Sequence, residues 1–243
     1  GTIYFDARQY DLAMADYNMA EKLGIKFEEL FANRGALYAI KKDYQKALSD
    51  FEKSLQINPR HINAYFNRAI AYFDMNDFKS AITDYSSYLN LRPDNAGVYS
   101  DRGISYQNLN LHEEAIKDFD MAVKLQPDIG IYYFYRAYSF NALGKKELAL
   151  GDAIRAQKLG EKVSGEFFEQ LKKQVPYELL ELMNITGFGP ATLKLLHDKL
   201  HIGNRKDLIT ALEKDKLRGV KGFGEKKIEN IKRALKLFKE SKR

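Results

Sequence analysis

Apolar and polar positions along most of the chain follow the period of an α-helix. Apolar residues recur three and four positions apart in successive segments, and no segment carries the alternating pattern of a strand. The pattern therefore predicts an all-α protein. Three prolines divide the helical segments at equal intervals of 34 residues, at Pro59, Pro93 and Pro127. Because proline lacks a backbone N–H, it ends a helix or begins the next one, so each interval is expected to hold a complete structural unit.

The same spacing recurs in the residue types of both predicted helices of each unit. On the first helix a small residue is followed three positions later by an aromatic residue, and on the second an alanine keeps a fixed position. Two antiparallel helices approach closely only where a small residue faces the partner helix, so these columns predict packed helix pairs. The columns are Gly35/Tyr38, Ala69/Tyr72, Gly103/Tyr106 and Ala137/Phe140 on the first helix, and Ala47, Ala81, Ala115 and Ala149 on the second.

A period of 34 residues with these columns resembles the tetratricopeptide repeat, whose helix pairs stack into an α-α solenoid. The resemblance implies a superhelix over residues 1–163. A helix with Phe167, Phe168 and Leu171 at helical spacing is expected to cap it, so that residues 164–175 form the cap and linker. The predicted units are a partial repeat at 1–27 and full repeats at 28–61, 62–95, 96–129 and 130–163.

Charged residues also recur with this period. An arginine column on the first helix matches an aspartate column on the second helix. A ladder of arginines could bind nucleic acid, but the matched acidic column removes the net positive charge that phosphate binding needs. We therefore expect each arginine to pair with an aspartate of an adjacent helix. The columns are Arg34, Arg68, Arg102 and Arg136, and Asp50, Asp84, Asp118 and Asp152.

The first helix of each repeat lines the concave face of such a superhelix, and its candidate protein-binding residues are largely apolar. Repeats that grip a C-terminal carboxylate resemble one another in carrying Lys and Asn on this face, whereas Ala32 and Ala36 occupy those positions here. An amphipathic helix or an extended apolar peptide is therefore the expected ligand. The alternative is that the aromatic side chains only contact neighbouring turns of the solenoid. The candidates are Phe66, Ile70, Phe73, Ser100, Ile104, Gln107, Phe134 and Tyr138.

Two glycine-containing loops lie between amphipathic segments in the last quarter of the chain. Residues 185–190 (ITGFGP) and 220–225 (VKGFGE) each place a Gly-Phe-Gly turn before a predicted helix. No Cβ obstructs the backbone at the glycines, so the free N–H groups at the start of that helix can bind an anion. With their flanks, residues 179–194 and 216–233, the loops resemble the tandem helix-hairpin-helix module of DNA-processing proteins, and more closely that of family X DNA polymerases.

The resemblance implies a small helix-hairpin-helix domain over residues 176–243 that contacts the phosphate backbone of DNA. Helices are expected at 176–184, 190–201, 205–214 and 225–240, with a short connecting helix near 215–219. Contacts with phosphates would make DNA binding independent of sequence. The DNA-binding residues that it implies are Gly187, Phe188, Gly189, Ala191, Thr192 and Lys194 in the first hairpin, and Lys221, Gly222, Phe223, Gly224, Lys226 and Lys227 in the second.

The same resemblance implies a monovalent cation on each hairpin. In similar hairpins of family X polymerases the ion is held by three outward-facing backbone carbonyls. Apart from such a Na⁺ or K⁺ ion, which only the resemblance implies, no cofactor is expected. The carbonyls would belong to Met183, Ile185 and Phe188, and to Arg218, Val220 and Phe223.

Charge separates the two predicted domains. Residues 1–174 hold 23 Lys and Arg against 24 Asp and Glu, whereas residues 175–243 hold 16 against 9, which accounts for the net charge of +6. The basic surplus lies with the hairpins and favours an anionic partner such as DNA. Cysteine is absent and no apolar run reaches the length of a membrane helix, so we expect an intracellular protein, cytoplasmic or nuclear, without a membrane partner.

No catalytic constellation accompanies the hairpins. His197, Asp198 and His201 match the helix motif of zinc proteases only in part, and the lysine nucleophile of family X lyase domains has no counterpart. We therefore predict a non-enzymatic adaptor that holds DNA on its hairpins and a protein on its repeats. Two alternatives stay open: a scaffold that binds proteins alone, and an accessory fragment of a larger repair nuclease or polymerase.

Overall fold

A computed structural model describes residues 9–174, 190–220 and 222–240 of the chain, and every regular element in these ranges is an α-helix. The predicted all-α fold is confirmed. No helix in the described ranges combines the length and the apolar character that a membrane crossing requires. The helices are α1 (Tyr10–Lys22), α2 (Glu28–Ile40), α3 (Tyr44–Ile57), α4 (Ile62–Asp74), α5 (Phe78–Leu91), α6 (Ala96–Asn108), α7 (His112–Leu125), α8 (Gly130–Ala142), α9 (Lys146–Lys158), α10 (Gly165–Gln174), α11 (Pro190–Leu200), α12 (Arg205–Glu213) and α13 (Glu225–Glu240).

The helix boundaries follow the predicted period. The first helices of the full repeats begin at Glu28, Ile62, Ala96 and Gly130, each at the first position of its predicted unit. The chain divides into two compact units, Gly1–Gln126 and Pro127–Arg243. This division falls within the repeat region, and the predicted domain boundaries at residues 163 and 176 stay a prediction.

A left-handed residue separates the two helices of each full repeat. Lys42, Asn76, Asn110 and Gly144 have φ angles of 61°, 60°, 58° and 68°. The next residue then donates its N–H back into the first helix, as Asp77 does to the carbonyl of Tyr72 at 2.8 Å. Such a bond satisfies a carbonyl that the helix end leaves unpaired, so the chain can reverse within a few residues.

Close approach between paired helices explains the column of small residues. A Cβ added to Gly35 would lie 2.8 Å from the ring of Phe51, and one added to Gly103 would lie 2.8 Å from the ring of Phe119. In the second and fourth repeats the same position is a fully buried alanine, Ala69 or Ala137. A residue larger than alanine would force these helices apart.

The predicted pairing of arginine with aspartate is confirmed in all four full repeats. Each arginine uses two nitrogens on one carboxylate: the Nε–Oδ2 distances are 2.6 to 2.8 Å and the Nη2–Oδ1 distances are 2.7 to 2.9 Å. The four aspartates are buried. Planar bidentate pairing is the strongest geometry for a guanidinium and a carboxylate, and it joins the first helix of each repeat to the second.

In the second compact unit, the last repeat and the hairpin helices share one apolar core. Ala149, Leu150 and Ala153 of α9 belong to the same buried cluster as Leu193 and Leu196 of α11. Helix α9 contacts both α10 and α11. The hairpin helices are thereby placed directly against the repeat that precedes them.

The hairpin helices lie close to the predicted ones, with one exception. Helices α11, α12 and α13 end or begin within one residue of the expected limits, while the helix predicted at 176–184 lies outside the described residues. The connecting helix predicted near 215–219 is wrong, because the structure has turns there. Asp215, with φ of 53°, and Gly219, with φ of 93°, leave the helical region at both ends of this short segment.

Candidate nucleic-acid interface and peptide groove

The second hairpin is a tight turn anchored in the core. Gly222 has φ of 97°, a conformation that glycine adopts without strain. The N–H of Phe223 donates to the carbonyl of Val220 at 3.0 Å and closes the turn. Phe223 itself is only 4% exposed. The aromatic residue therefore fixes the loop, and Gly222 supplies its left-handed backbone position.

Gly224, the other glycine of the turn, stands directly before α13. Its φ is not in the left-handed region, and a Cβ built on it would meet no atom within 4 Å. Packing and backbone conformation therefore do not require glycine at this position. A missing side chain in open space leaves the backbone accessible to a ligand.

Three backbone N–H groups of this turn have no hydrogen-bond partner among the described residues. Among the described residues, no hydrogen bond uses the N–H groups of Gly222, Gly224 or Lys226. The N–H of Lys227 differs, because it donates to the carbonyl of Gly224 at 2.9 Å. The start of α13 thus offers open donors together with the positive end of the helix dipole, which favours an anion.

A hydrogen bond joins two residues that occupy equivalent positions in the two hairpins. Thr192 and Lys227 are 35 residues apart, the same spacing as Gly187 and Gly222, and Lys227 Nζ donates to Thr192 Oγ1 at 3.1 Å. The same ammonium lies 4.8 Å from the centroid of the Phe223 ring. This hydrogen bond makes the starts of α11 and α13 neighbours. Lys227 is half-buried at this junction.

Helix α13 presents a basic face beside its buried one. Ile228 and Ile231 are buried, whereas Lys226, Asn230 and Arg233 are exposed and share another face because they are four and three positions apart. Arg233 was missed as a site residue by sequence reasoning. Its spacing of seven residues from Lys226 was the available signal.

The remaining face of α13 borders a cleft of about 290 Å³ with mixed charge. It is lined by Asp215, Arg218, Glu225, Ile228, Glu229 and Lys232. Arg218 lies 3.3 Å from the carboxylate of Asp215 and 3.7 Å from that of Glu225. Because the carboxylates outnumber the cationic groups, this side of the helix is a poorer site for an anion than the face of Lys226 and Arg233.

Several predicted residues fall where their geometry is not described. Ala191 and Lys194 lie on α11. The carbonyls of Arg218, Val220 and Phe223 stay a predicted cation site. Within the described ranges, no group of three or more His, Asp, Glu or Cys side chains could hold a metal ion. Outside the described residues lie Met183, Ile185, Gly187, Phe188, Gly189 and Lys221.

The candidate groove residues of the first compact unit differ in how much they offer to a ligand. The Phe66 ring lies 5.7 Å from that of Tyr88 and the Phe73 ring 5.3 Å from that of Phe78, so both pack against the second helix of their own repeat. Ile70 is 36% exposed. Ile104 and Gln107 are half-buried on α6. Phe66 and Phe73 thus contribute to packing, as the alternative interpretation held, while Ile70 faces solvent.

In the second compact unit, the helix after the last repeat contacts the other two groove candidates. The Phe167 ring of α10 lies 6.2 Å from that of Phe134 and 6.3 Å from that of Tyr138. Tyr138 keeps 52% of its surface exposed. Helix α10 therefore covers Phe134 more than Tyr138 and leaves less apolar surface here than the sequence predicts.

Comparison with known families agrees with both halves of this architecture. A tetratricopeptide repeat profile matches residues 35–98 and a second one matches residues 100–160. A profile described as a SAM-like helix-hairpin-helix tandem matches residues 179–237. The chain is a tetratricopeptide repeat protein with a tandem helix-hairpin-helix domain.

Curated relatives match over a region of about the length of the helix-hairpin-helix domain. The chain is 36% identical over 67 residues to the DNA polymerase/3′-5′ exonuclease PolX of Bacillus subtilis (strain 168), which covers 28% of this chain and 12% of that protein. It is 39% identical over 72 residues to a DNA ligase of Clostridium botulinum (strain Eklund 17B / Type B), covering 30% of this chain and 11% of the ligase. The chain thus spans only about an eighth of the length of either relative.

Solved structures match the repeat region and agree with its fold. The structure of YrrB, described as a TPR protein with an unusual peptide-binding site, aligns with a TM-score of 0.63 at 17% identity, over 71% of this chain and 88% of that one. The MamA RS-1 ArsTM double mutant aligns with a TM-score of 0.62 at 19% identity, over 65% and 89%. At these identities the likeness establishes the solenoid fold alone.

One carboxylate in the tetratricopeptide repeat region has an unusual environment. Asp101, on α6, is half-buried, and no hydrogen bond or ion pair to its carboxylate occurs among the described residues. Burial raises the pKa of Asp101 to about 6. Burial also raises the pKa of Asp118, but there the Arg102 guanidinium opposes the effect. Asp101 has no such compensation, so its ionised form is disfavoured in the folded protein.

This environment predicts a pH-dependent effect of Asp101→Asn on stability. The pKa in the folded protein, about 6, exceeds the ordinary value of 3.8, so ionisation above pH 6 costs folding free energy and protonation below about pH 4 removes that cost. The side-chain amide of the asparagine variant does not ionise, so this cost is absent at every pH. We expect the variant to be more stable than the parent by about 1 to 2 kcal/mol at pH 7.5, with most of the gain gone at pH 4.5, measured by urea unfolding.

The matched control is Asp94→Asn, which neutralises an exposed carboxylate and should change the unfolding free energy little at either pH. A gain for Asp101→Asn that is equal at the two pH values would show that ionisation of Asp101 is not its cause.

Proposed function

We propose that this protein is a non-enzymatic adaptor that binds the DNA backbone through its helix-hairpin-helix domain and a protein segment through its tetratricopeptide repeats. The observation that carries the DNA-binding half is the start of α13. There the N–H groups of Gly222, Gly224 and Lys226 make no hydrogen bond to another described residue, and a Cβ built on Gly224 would meet no described atom within 4 Å apart from its chain neighbours. A phosphate oxygen fits such a site because it needs donors and close backbone approach.

Charge supports a polyanion as the ligand of this site. Lys226 and Arg233 lie on one exposed face of α13, and Lys227 stands at the junction of the two hairpins. Residues 175–243 carry 16 basic against 9 acidic side chains. Duplex DNA presents regularly spaced phosphates, so a second hairpin 35 residues away could contact a second phosphate on the same duplex.

The relatives support DNA over other polyanions. The polymerase/exonuclease and the ligase differ in activity by name, and the segments that they share with this chain have about the length of the helix-hairpin-helix domain. A module that serves two different DNA enzymes is expected to bind what their substrates have in common. Backbone N–H groups and lysines contact phosphates rather than base edges, so the proposed binding is independent of sequence.

The adaptor role follows from the other half of the chain. Tetratricopeptide repeat profiles match residues 35–98 and 100–160, and the arginine column of the repeats is already paired with aspartates, so this column is not a ladder of free cations for a second nucleic-acid site. The exposed apolar surface at Ile70 suits a protein segment instead.

The basic face of α13 generates a prediction about salt. Lys226→Ala and Arg233→Ala should each remove one phosphate contact, so the slope of log K against log salt for a duplex should flatten by about 0.9 for each substitution. Lys232→Ala removes an equal charge from the mixed-charge cleft on another face of the same helix, and it should change the slope much less. Fluorescence anisotropy with duplexes of two unrelated sequences measures the affinity and its dependence on salt.

If the slope of log K against log salt is the same for the parent protein and for the Lys226 and Arg233 variants, this face of α13 does not contact DNA. If no duplex binds to the parent protein, the chain is better described as a scaffold that binds proteins alone.

Gly224→Ala tests the backbone contact separately. The new methyl group meets no protein atom, so the fold should be retained with at most about 1 kcal/mol lost at the start of the helix. It would occupy the space of the phosphate, and we expect affinity for duplex DNA to fall about tenfold at every salt concentration, with an unchanged slope. Binding at full affinity by a folded Gly224→Ala protein would contradict close backbone approach at this turn.

A further inference from the structure

An aspartate of the first compact unit, Asp101, lies on the same helix as predicted groove residues. On α6, Asp101 precedes Ile104, a predicted groove residue, by three positions, which places the two on the same face of the helix. Ile70 of α4 is exposed. The negative charges of Asp101 and of Asp74 on α4 both act on Tyr85 of α5, so both carboxylates lie near this buried aromatic residue.

Asp101 differs from the other buried or half-buried aspartates in having no hydrogen-bond partner for its carboxylate among the described residues. In the described residues, every other buried or half-buried aspartate has a partner. Four accept bidentate arginine bonds, Asp43 accepts from the N–H of Lys46, and Asp207 accepts from the N–H of Gly203. Only the carboxylate of Asp101 has none. Arg102, the next residue in the chain, does not fill this role because its guanidinium is bound to Asp118.

An unpaired carboxylate of this kind disfavours the folded state, and burial raises the pKa of Asp101 to about 6 as a result. Asparagine has nearly the same shape and would avoid the cost. Residues that lower stability in this way are frequent at functional sites, where the missing partner belongs to the ligand.

We propose that Asp101 binds the ammonium or guanidinium group of a lysine or arginine in a protein segment whose apolar side chains contact Ile70 and Ile104. The inference rests on the proposed role of the repeats and names the chemistry of their partner. A cation is required by charge complementarity, and Asp74 adds to the negative potential. Two carboxylates exclude nucleic acid from this face, because phosphates would be repelled.

Synthetic peptide pools test this assignment on the full-length chain. The pools contain fluorescein-labelled peptides of about 12 residues, with flanks drawn from Leu, Ile, Phe, Ala and Ser, and they differ only in a fixed central Lys, Arg, Gln or Glu. The parent protein should bind the Lys and Arg pools about tenfold more tightly than the Gln pool, and the Glu pool least, since a charged hydrogen bond is gained or lost.

Asp101→Asn should abolish the preference for Lys and Arg and retain the affinity for the Gln pool. Asp94→Asn, which removes an equal charge from an exposed position, should keep the preference. A third variant, Ile70→Glu, places a charge on the apolar surface and should weaken the binding of every pool.

The outcomes separate the two proposals. Equal binding of all pools by the parent, or a preference that persists in Asp101→Asn, overturns the role of Asp101 while the groove remains a peptide site. If no pool binds, both the groove and the role of Asp101 are wrong.

Discussion

A bidentate bond between an arginine and a buried aspartate joins the two helices of every full repeat, and the rest of the repeat region depends on it. Removing one partner of a buried pair typically costs about 3 to 5 kcal/mol, since the other charge stays in a poorly solvated site. In the first and third full repeats the pair stands next to a close helix contact, where Gly35 and Gly103 meet the rings of Phe51 and Phe119. Charge pairing and close packing thus set the spacing of each helix pair together.

This arrangement also determines what the concave side can bind. The arginines of the repeat column have their guanidinium groups directed to aspartates on the second helices, so they add little positive potential to the groove. Asp101 lies outside that column and keeps its charge unmatched. The groove therefore has a local negative site in an apolar surface, whereas the hairpin domain has its positive charge on an exposed face of α13. The two partners that we propose would therefore contact different residues of the chain.

Features that recur in every repeat could be predicted from the sequence, since the period itself identifies them. The helix starts, the small residues and the Arg–Asp pairs all belong to this class. The left-handed position does not belong to this class, because the four residues there share a backbone conformation but not one side-chain type. They are Lys42, Asn76, Asn110 and Gly144. Asp101 was missed for a related reason: its equivalents in the adjacent repeats are Asn67 and Tyr135, so no column indicates it.

Contacts between the hairpins could not be predicted either. The resemblance to other hairpins implies that Lys227 binds phosphate, but its hydrogen bond to Thr192 depends on how α11 and α13 pack. The basic face with Arg233 similarly follows from which side of α13 is buried against the core. Residues 183, 185, 187–189 and 221 of the predicted sites lie outside the described residues, so the first hairpin rests on its sequence likeness to the second.

Backbone amide resonances give the most direct test of the adaptor. Titration of the ¹⁵N-labelled protein with two short duplexes of unrelated sequence should shift the amide signals of Gly222, Gly224 and Lys226 alike for both, because phosphate oxygens meet these N–H groups. The amide signals of Ile70 and Asp101, on the concave face, should stay in place. Shifts on the concave face in place of the hairpin, or hairpin shifts with only one duplex, would contradict this account.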